Sequence, residues 1–188
     1  MPDATTDEEL ARRLQGGDEA ALGEIMERYT GKLLRYGQRF LGADDDAIGD
    51  VVQDVFISAY QNIRSFEPAR RFSPWVYRIA HNAFVDALRK RAKDPVAMDY
   101  WELDRILPHS GHEDAAAKEK EADEIRVLLE KYLDALPANY REIIALYYFE
   151  NFSYQEISDI LHIPIGTVGI RLSRAKSKLK TLFSKETL

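Results

Sequence analysis

Cysteine is absent from the 188 residues, which excludes a disulfide framework and any thiolate metal site. Histidine is scarce. His81 and His162 stand alone, while His109 and His112 sit beside Glu113 in a Gly- and Ser-containing acidic stretch that offers no rigid frame for a metal. No metal or cofactor is expected. No apolar run approaches the roughly 20 residues that span a bilayer. The opening MPDATTDEELARR also lacks the apolar stretch of a secretory signal, so no membrane insertion and a cytoplasmic location are expected. A glycine-rich phosphate loop and a histidine placed with a nucleophile are both missing, which argues against an enzyme.

A net charge of -6 argues against a nucleic-acid partner until the charges are located. Between Arg64 and Lys93 eight Lys/Arg face two acids, and from Thr167 onward six face one. The stretch from Asp94 to Asp134 instead holds twelve Asp/Glu against five Lys/Arg, and residues 41–60 carry five Asp and no base. Two basic patches bracketing an acidic middle would hold a polyanion at two places and repel it between them, an arrangement suited to bipartite DNA contact reinforced by a third party.

Strand-like alternation is absent and apolar residues recur at three and four, which predicts an all-α chain. Thr6 with Glu9 reads as a capping box opening a helix that Gly16 and Gly17 end. Asp18 caps the next, reaching about Phe40 with a possible break at Gly31. A third helix covers about 45 to 63. After a loop from Arg64 to Phe72, Ser73 is the expected N-cap, and Pro74 the first position, of a helix reaching about Ala92. Pro95, Pro108, Gly111 and many acids mark a flexible linker over 94–118, dividing a domain at 1–93 from one at 119–188. Helical periodicity returns from Ala116 to Leu136, again from about Asn139 to Glu150, and then at 153 to 161 and 166 to 183.

The final two helices have the pattern of a helix-turn-helix. Ser153 and Glu156 make a capping box, Pro164 and Gly166 interrupt the pattern, and Val168, Leu172, Ala175, Leu179 and Leu182 form a narrow apolar stripe. The remaining side carries Thr167, Ile170, Ser173, Arg174 and Ser177, with Arg171 and Lys178 flanking. That composition suits a recognition helix in a major groove, where arginine reads guanine or grips phosphate. A solvated basic helix has the same composition.

On the helix at 74 to 92, Val76, Tyr77, Ala80, Phe84, Ala87 and Leu88 fall on one side and Trp75, Arg78, Asn82, Asp86 and Arg89 on the other. Trp75 is thus expected to face outward. With Phe66 and Phe72 of the basic loop that also carries Arg70 and Arg71, it could stack on bases that have left the duplex, each stack contributing about 1–3 kcal/mol. In the alternative both phenylalanines are core and Trp75 caps the loop. The helix at 45 to 63 buries Ile48, Val51, Val52, Val55, Phe56, Ala59 and Ile63, and shows Asp50, Gln53, Asp54, Ile57 and Gln61. An apolar side chain in an acidic, hydrogen-bonding stripe suits a protein partner and disfavours DNA.

In this order the segments resemble the extracytoplasmic-function (ECF) sigma factors of the sigma-70 family, over about 10 to 93 and 120 to 183. DVVQDVF at 50 to 56 is similar to that family's polymerase-docking helix, and FSPWVYRIAHNAFVDALRKR at 72 to 91 to its promoter-melting helix. LPANYREIIALYYFENFSYQEISDILHIPIGTVGIRLSRAKSKL at 136 to 179 resembles its fourth conserved region. The resemblance implies a subunit that binds core RNA polymerase, directs it to promoters and assists melting. Asp50, Gln53 and Asp54 would bind the beta-prime clamp helices. Phe66, the following loop and Asn82 would hold a flipped base of the -10 element, and the last helix would read the -35 element. The linker would run through the polymerase, whose beta flap is a further expected contact, and an anti-sigma factor is an expected partner. One departure is that Gly169 and Ile170 follow Thr167 and Val168, where many relatives have a basic residue and a serine. The competing reading is a self-sufficient helix-turn-helix repressor, which would have no use for the stripe at Asp50.

Overall fold

The computed structural model describes residues 5–42, 45–91, 129 and 132–186, and among these every regular element is helical. The linker, the candidate ligands His109, His112 and Glu113, and most of the helix expected over Ala116 to Leu136 lie outside the described residues. The chain folds as two compact units, Met1–Gln38 with Ala43–Ala87, and Arg39–Gly42 with Leu88–Leu188.

The first unit begins with α1 (Asp7–Gln15). The Thr6 hydroxyl accepts from the Glu9 N–H at 3.2 Å, while the Glu9 carboxylate pairs with Arg12. Gly16 is the C-cap, and Gly17 at φ +92° makes the reversal that an L side chain resists. α2 (Ala20–Leu41) starts where Asp18 Oδ1 accepts from the Ala20 N–H at 3.1 Å. It passes through Gly31 without a break, because Ile25, Tyr29, Leu33, Tyr36 and Phe40 keep one continuous buried face on either side of that glycine.

α3 (Asp45–Asn62) buries Ile48, Val52, Val55, Phe56 and Ala59 as expected, with Val51 only half-buried, and runs into a 3-10 turn (Ile63–Ser65). α4 starts earlier than expected, spanning Phe72–Arg91. Ser73 therefore lies in its first turn, where it hydrogen-bonds the Tyr29 hydroxyl instead of capping. The Glu8 carboxylate of α1 accepts the Phe72 N–H at 2.9 Å. Burial, followed by the hydrogen bond to Asp7, raises Tyr29 well above the usual phenol range, so its hydroxyl stays a donor.

Tyr36 packs on Tyr77 and Phe84 with ring centroids 5.2 and 5.5 Å apart, joining α2 to α4. Gly37 permits this approach. A Cβ there would lie 2.7 Å from Ile48 Cγ2 and 2.8 Å from Phe84 Cζ. Gly37→Ala is accordingly expected to overpack the junction of α2, α3 and α4 and destabilise the unit by about 1–3 kcal/mol. A thermal melt showing an unchanged midpoint would mean the helices separate at no cost.

In the second unit, Leu129 and Tyr132 are helical and lead to a 3-10 turn (Leu133–Ala135). α5 (Ala138–Ile144) follows Pro137, whose carbonyl accepts from the Tyr140 and Arg141 N–H groups, and widens into a π turn (Ala145–Phe149). Asn151 at φ 57° reverses the chain into α6 (Tyr154–Leu161). α7 (Ile165–Glu186) packs against both α5 and α6, with Val168, Leu172 and Ala175 buried in the junction.

Candidate nucleic-acid interface

Three surfaces hold the residues singled out in the sequence. The first lies on α3, where Asp50, Gln53, Asp54, Ile57 and Gln61 follow the three-and-four spacing of one helix face and are all exposed. Ile57 is 54% exposed, a large apolar side chain left in water between carboxylates and amides. Tyr60, 43% exposed, extends this patch and was not anticipated, although its position three residues after Ile57 already puts it on the same side. Its hydroxyl lies 3.5 Å from Glu19 Oε1.

The second surface is the loop before α4 together with that helix's outer side. Arg70 and Arg71 are exposed, and Arg70 Nε donates to Glu67 Oε2 at 3.0 Å. Asn82 and Arg89 are exposed and Arg78 is half-buried, all on the expected side. Trp75 overturns its expectation: it is only 8% exposed. Phe66 and Phe72 are buried as well, and the three rings form a closed triangle with centroids 5.4 Å (Phe66–Phe72), 5.5 Å (Phe66–Trp75) and 5.5 Å (Phe72–Trp75) apart. Long helical side chains lean toward the N-terminus, so an aromatic in the first turn covers the segment preceding its own helix. Periodicity about the helix axis does not register that segment. The aromatics therefore floor the loop, and its exposed cations lie above.

The third surface is the helix-turn-helix. Its capping box is complete: the Ser153 N–H donates to Glu156 Oε2 at 2.8 Å and Ser153 Oγ accepts from the Glu156 N–H at 3.3 Å. The turn closes through His162, a non-glycine residue at φ 54°, and Ser158 Oγ donates to the Ile163 carbonyl at 2.6 Å. The Pro164 carbonyl accepts from the Thr167 and Val168 N–H groups, which starts α7. Along α7, Ser173, Ser177 and Lys178 are exposed, and Thr167, Ile170 and Arg174 are half-buried. Lys178 Nζ lies 5.6 Å from the Tyr140 ring centroid. Arg171 is the second correction, being 6% exposed and engaged within the fold. It lies three residues after Val168 and four before Ala175, which puts it on the buried stripe. The stem of an arginine packs there like an aliphatic side chain.

Two sequence families match these surfaces in order: sigma-70 region 2 over residues 25–94, and sigma-70 region 4 over residues 126–179. The chain is 35% identical over 181 residues to the ECF RNA polymerase sigma factor SigW of Bacillus subtilis, covering 90% of this chain and 92% of that protein. This chain belongs to the ECF RNA polymerase sigma factors. The sigma factor is also 31% identical over 186 residues to the sigma-E factor of Escherichia coli, covering 95% of each. Among solved structures, it resembles CnrH in complex with the cytosolic domain of CnrY, with a TM-score of 0.66, 25% identity, and coverage of 95% of this chain and 97% of that one. It also resembles RpoE in complex with the anti-sigma factor NepR from Bartonella quintana, with a TM-score of 0.59, 25% identity, and coverage of 86% and 96%. As a sigma factor it is a transcription regulator that directs RNA polymerase to promoters. No described helix is long and apolar enough to cross a membrane.

Proposed function

We propose that the sigma factor docks on the beta-prime clamp helices of core RNA polymerase through Asp50, Gln53, Asp54, Ile57 and Gln61, with Tyr60 extending the contact. The observation that carries this reading is Ile57, exposed inside an acidic stripe that would repel DNA but would complement a basic protein surface. The loop cations Arg70 and Arg71, with Arg78, Asn82 and Arg89 of α4, receive the melted strand of the -10 element. Phe66, Phe72 and Trp75 support that loop from beneath. Thr167, Ile170, Ser173, Arg174 and Lys178 of α7 lie against duplex DNA at the -35 element, and buried Arg171 serves the packing of that helix. Residues 94–118 act as the tether between the two DNA-binding parts and pass through the polymerase, with the beta flap as a further contact. An anti-sigma factor is a further partner, a reading supported by the solved relatives bound to such proteins.

Run-off transcription from a randomised promoter pool, with core polymerase added or withheld, tests this function. Selective transcripts are expected only when core polymerase and the sigma factor are both present. Sequence-selective binding of the lone chain to duplex DNA, with no change in where RNA synthesis starts, would favour a repressor. On a promoter recovered from the pool, Arg174→Ala is expected to lose about 1–3 kcal/mol of upstream-element binding. Undiminished transcription would show that Arg174 does not touch DNA.

A further inference from the structure

α1 lies outside both matched regions, the first of which begins at residue 25, yet its side chains hold both ends of the loop assigned above to the melted strand. At the leading end, Gln15 Nε2 donates to the Ile63 carbonyl and to the Phe66 carbonyl, each at 2.8 Å. One amide nitrogen thereby satisfies acceptors at the start of the 3-10 turn and at the residue that ends it. The Ile63 carbonyl also accepts the Phe66 N–H at 3.1 Å, so Gln15 adds a second bond there and ties the closed turn to the Phe66 carbonyl beyond it. At the trailing end, Glu8 Oε1 accepts the Phe72 N–H at 2.9 Å, placing a negative charge at the N-terminus of α4.

Glu8 and Gln15 are seven residues apart on one helix, so they project from the same side about 10 Å apart along its axis. α1 is itself fixed in place. Asp7 accepts from Arg28 Nη1 at 2.7 Å and from the Tyr29 hydroxyl at 2.6 Å, and Arg28 also donates to the Thr5 carbonyl at 2.8 Å. The Tyr29 ring meets Phe72 edge-on at 5.5 Å.

We infer that α1 is the positioning device of the strand-capturing loop: Gln15 and Glu8 fix the separation of its two ends, so that Arg70 and Arg71 are presented in place before DNA arrives. A loop so held loses less conformational freedom on binding, and that saving goes directly into affinity. The inference rests on the proposed role of the loop. Gln15 and Glu8 are positioning residues and need not touch DNA.

Gln15→Met keeps the shape of the side chain and removes both donated hydrogen bonds, while Gln15→Lys restores a donor within reach of the two carbonyls. The full-length chain is compared by amide hydrogen exchange. Holoenzyme is then compared for binding to the single-stranded -10 oligonucleotide of a promoter recovered from the randomised pool. Gln15→Met is expected to speed exchange over residues 66–73 at least tenfold and to weaken strand binding at least fivefold. Co-purification with core polymerase and the melting midpoint should stay as in the parent. Gln15→Lys is expected to recover most of both losses. Parental loop exchange and strand affinity in Gln15→Met would overturn the inference alone, and so would a loss of strand affinity that merely tracks a lowered melting midpoint. If the parent holoenzyme binds no strand although α1 still protects the loop, the loop's assignment to DNA fails and the positioning role falls with it.

Discussion

Asp54→Lys is expected to leave the chain folded and to abolish its co-purification with core RNA polymerase. Asp54 is exposed on α3, one turn from Asp50 and close to the exposed Ile57. Its replacement removes no core contact, so stability should change by no more than about 0.5 kcal/mol. At the proposed docking surface the change reverses the charge at the centre of the stripe. Juxtaposing like charges across an interface costs several kcal/mol, and a central position surrounded by other contacts is where such a cost is felt in full. Since 1.4 kcal/mol is a factor of ten in affinity, recovery on immobilised core polymerase should fall to background while the melting midpoint stays unchanged. Normal recovery would remove α3 from the docking role. An arginine or lysine at Ile57 should act in the same direction, because it adds positive charge and removes the apolar anchor.

Trp75→Ala is expected to cost about 3–5 kcal/mol of first-unit stability, the usual range for emptying a buried tryptophan site. Trp75 is 8% exposed and closes the triangle with Phe66 and Phe72, and the Phe72 ring in turn meets Tyr29 edge-on. An outward Trp75 that stacked on flipped bases would produce a different result. Its loss would then weaken open-complex formation on duplex promoters much more than on templates already unpaired there, with stability unchanged. The buried placement predicts a lowered melting midpoint and similar losses on both templates, because the loop loses its floor in each case. Equilibrium denaturation paired with the two-template comparison separates these outcomes. A stable variant impaired only on duplex DNA would show that the ring leaves its pocket to act.

Much of this molecule can be read from spacing alone. The all-α architecture, the α3 stripe, the Ser153–Glu156 capping box and the apolar series Val168, Leu172, Ala175 all follow from interactions within one turn or along one helix face. The misjudged residues share a cause. Trp75 sits in the first turn of α4, where its environment is the loop folded beneath it. Arg171 shares a face with Val168 and Ala175, and its charge suggested solvent where its stem is packed. Gly31 offers a possible break in sequence, but the buried residues flanking it keep α2 continuous.

The amino-acid sequence by itself determined the helices, the segregation of positive and negative charge, and the family to which the chain belongs, because each depends on residue type and short-range order. Only the tertiary structure decided which aromatics remain available to a partner, which arginine is committed to packing, and that a helix beginning at Asp7 reaches Ile63, Phe66 and Phe72. Those contacts join residues roughly fifty to sixty-four positions apart. No local periodicity encodes a distance of that kind, because it is set by how whole helices close over one another and exclude water.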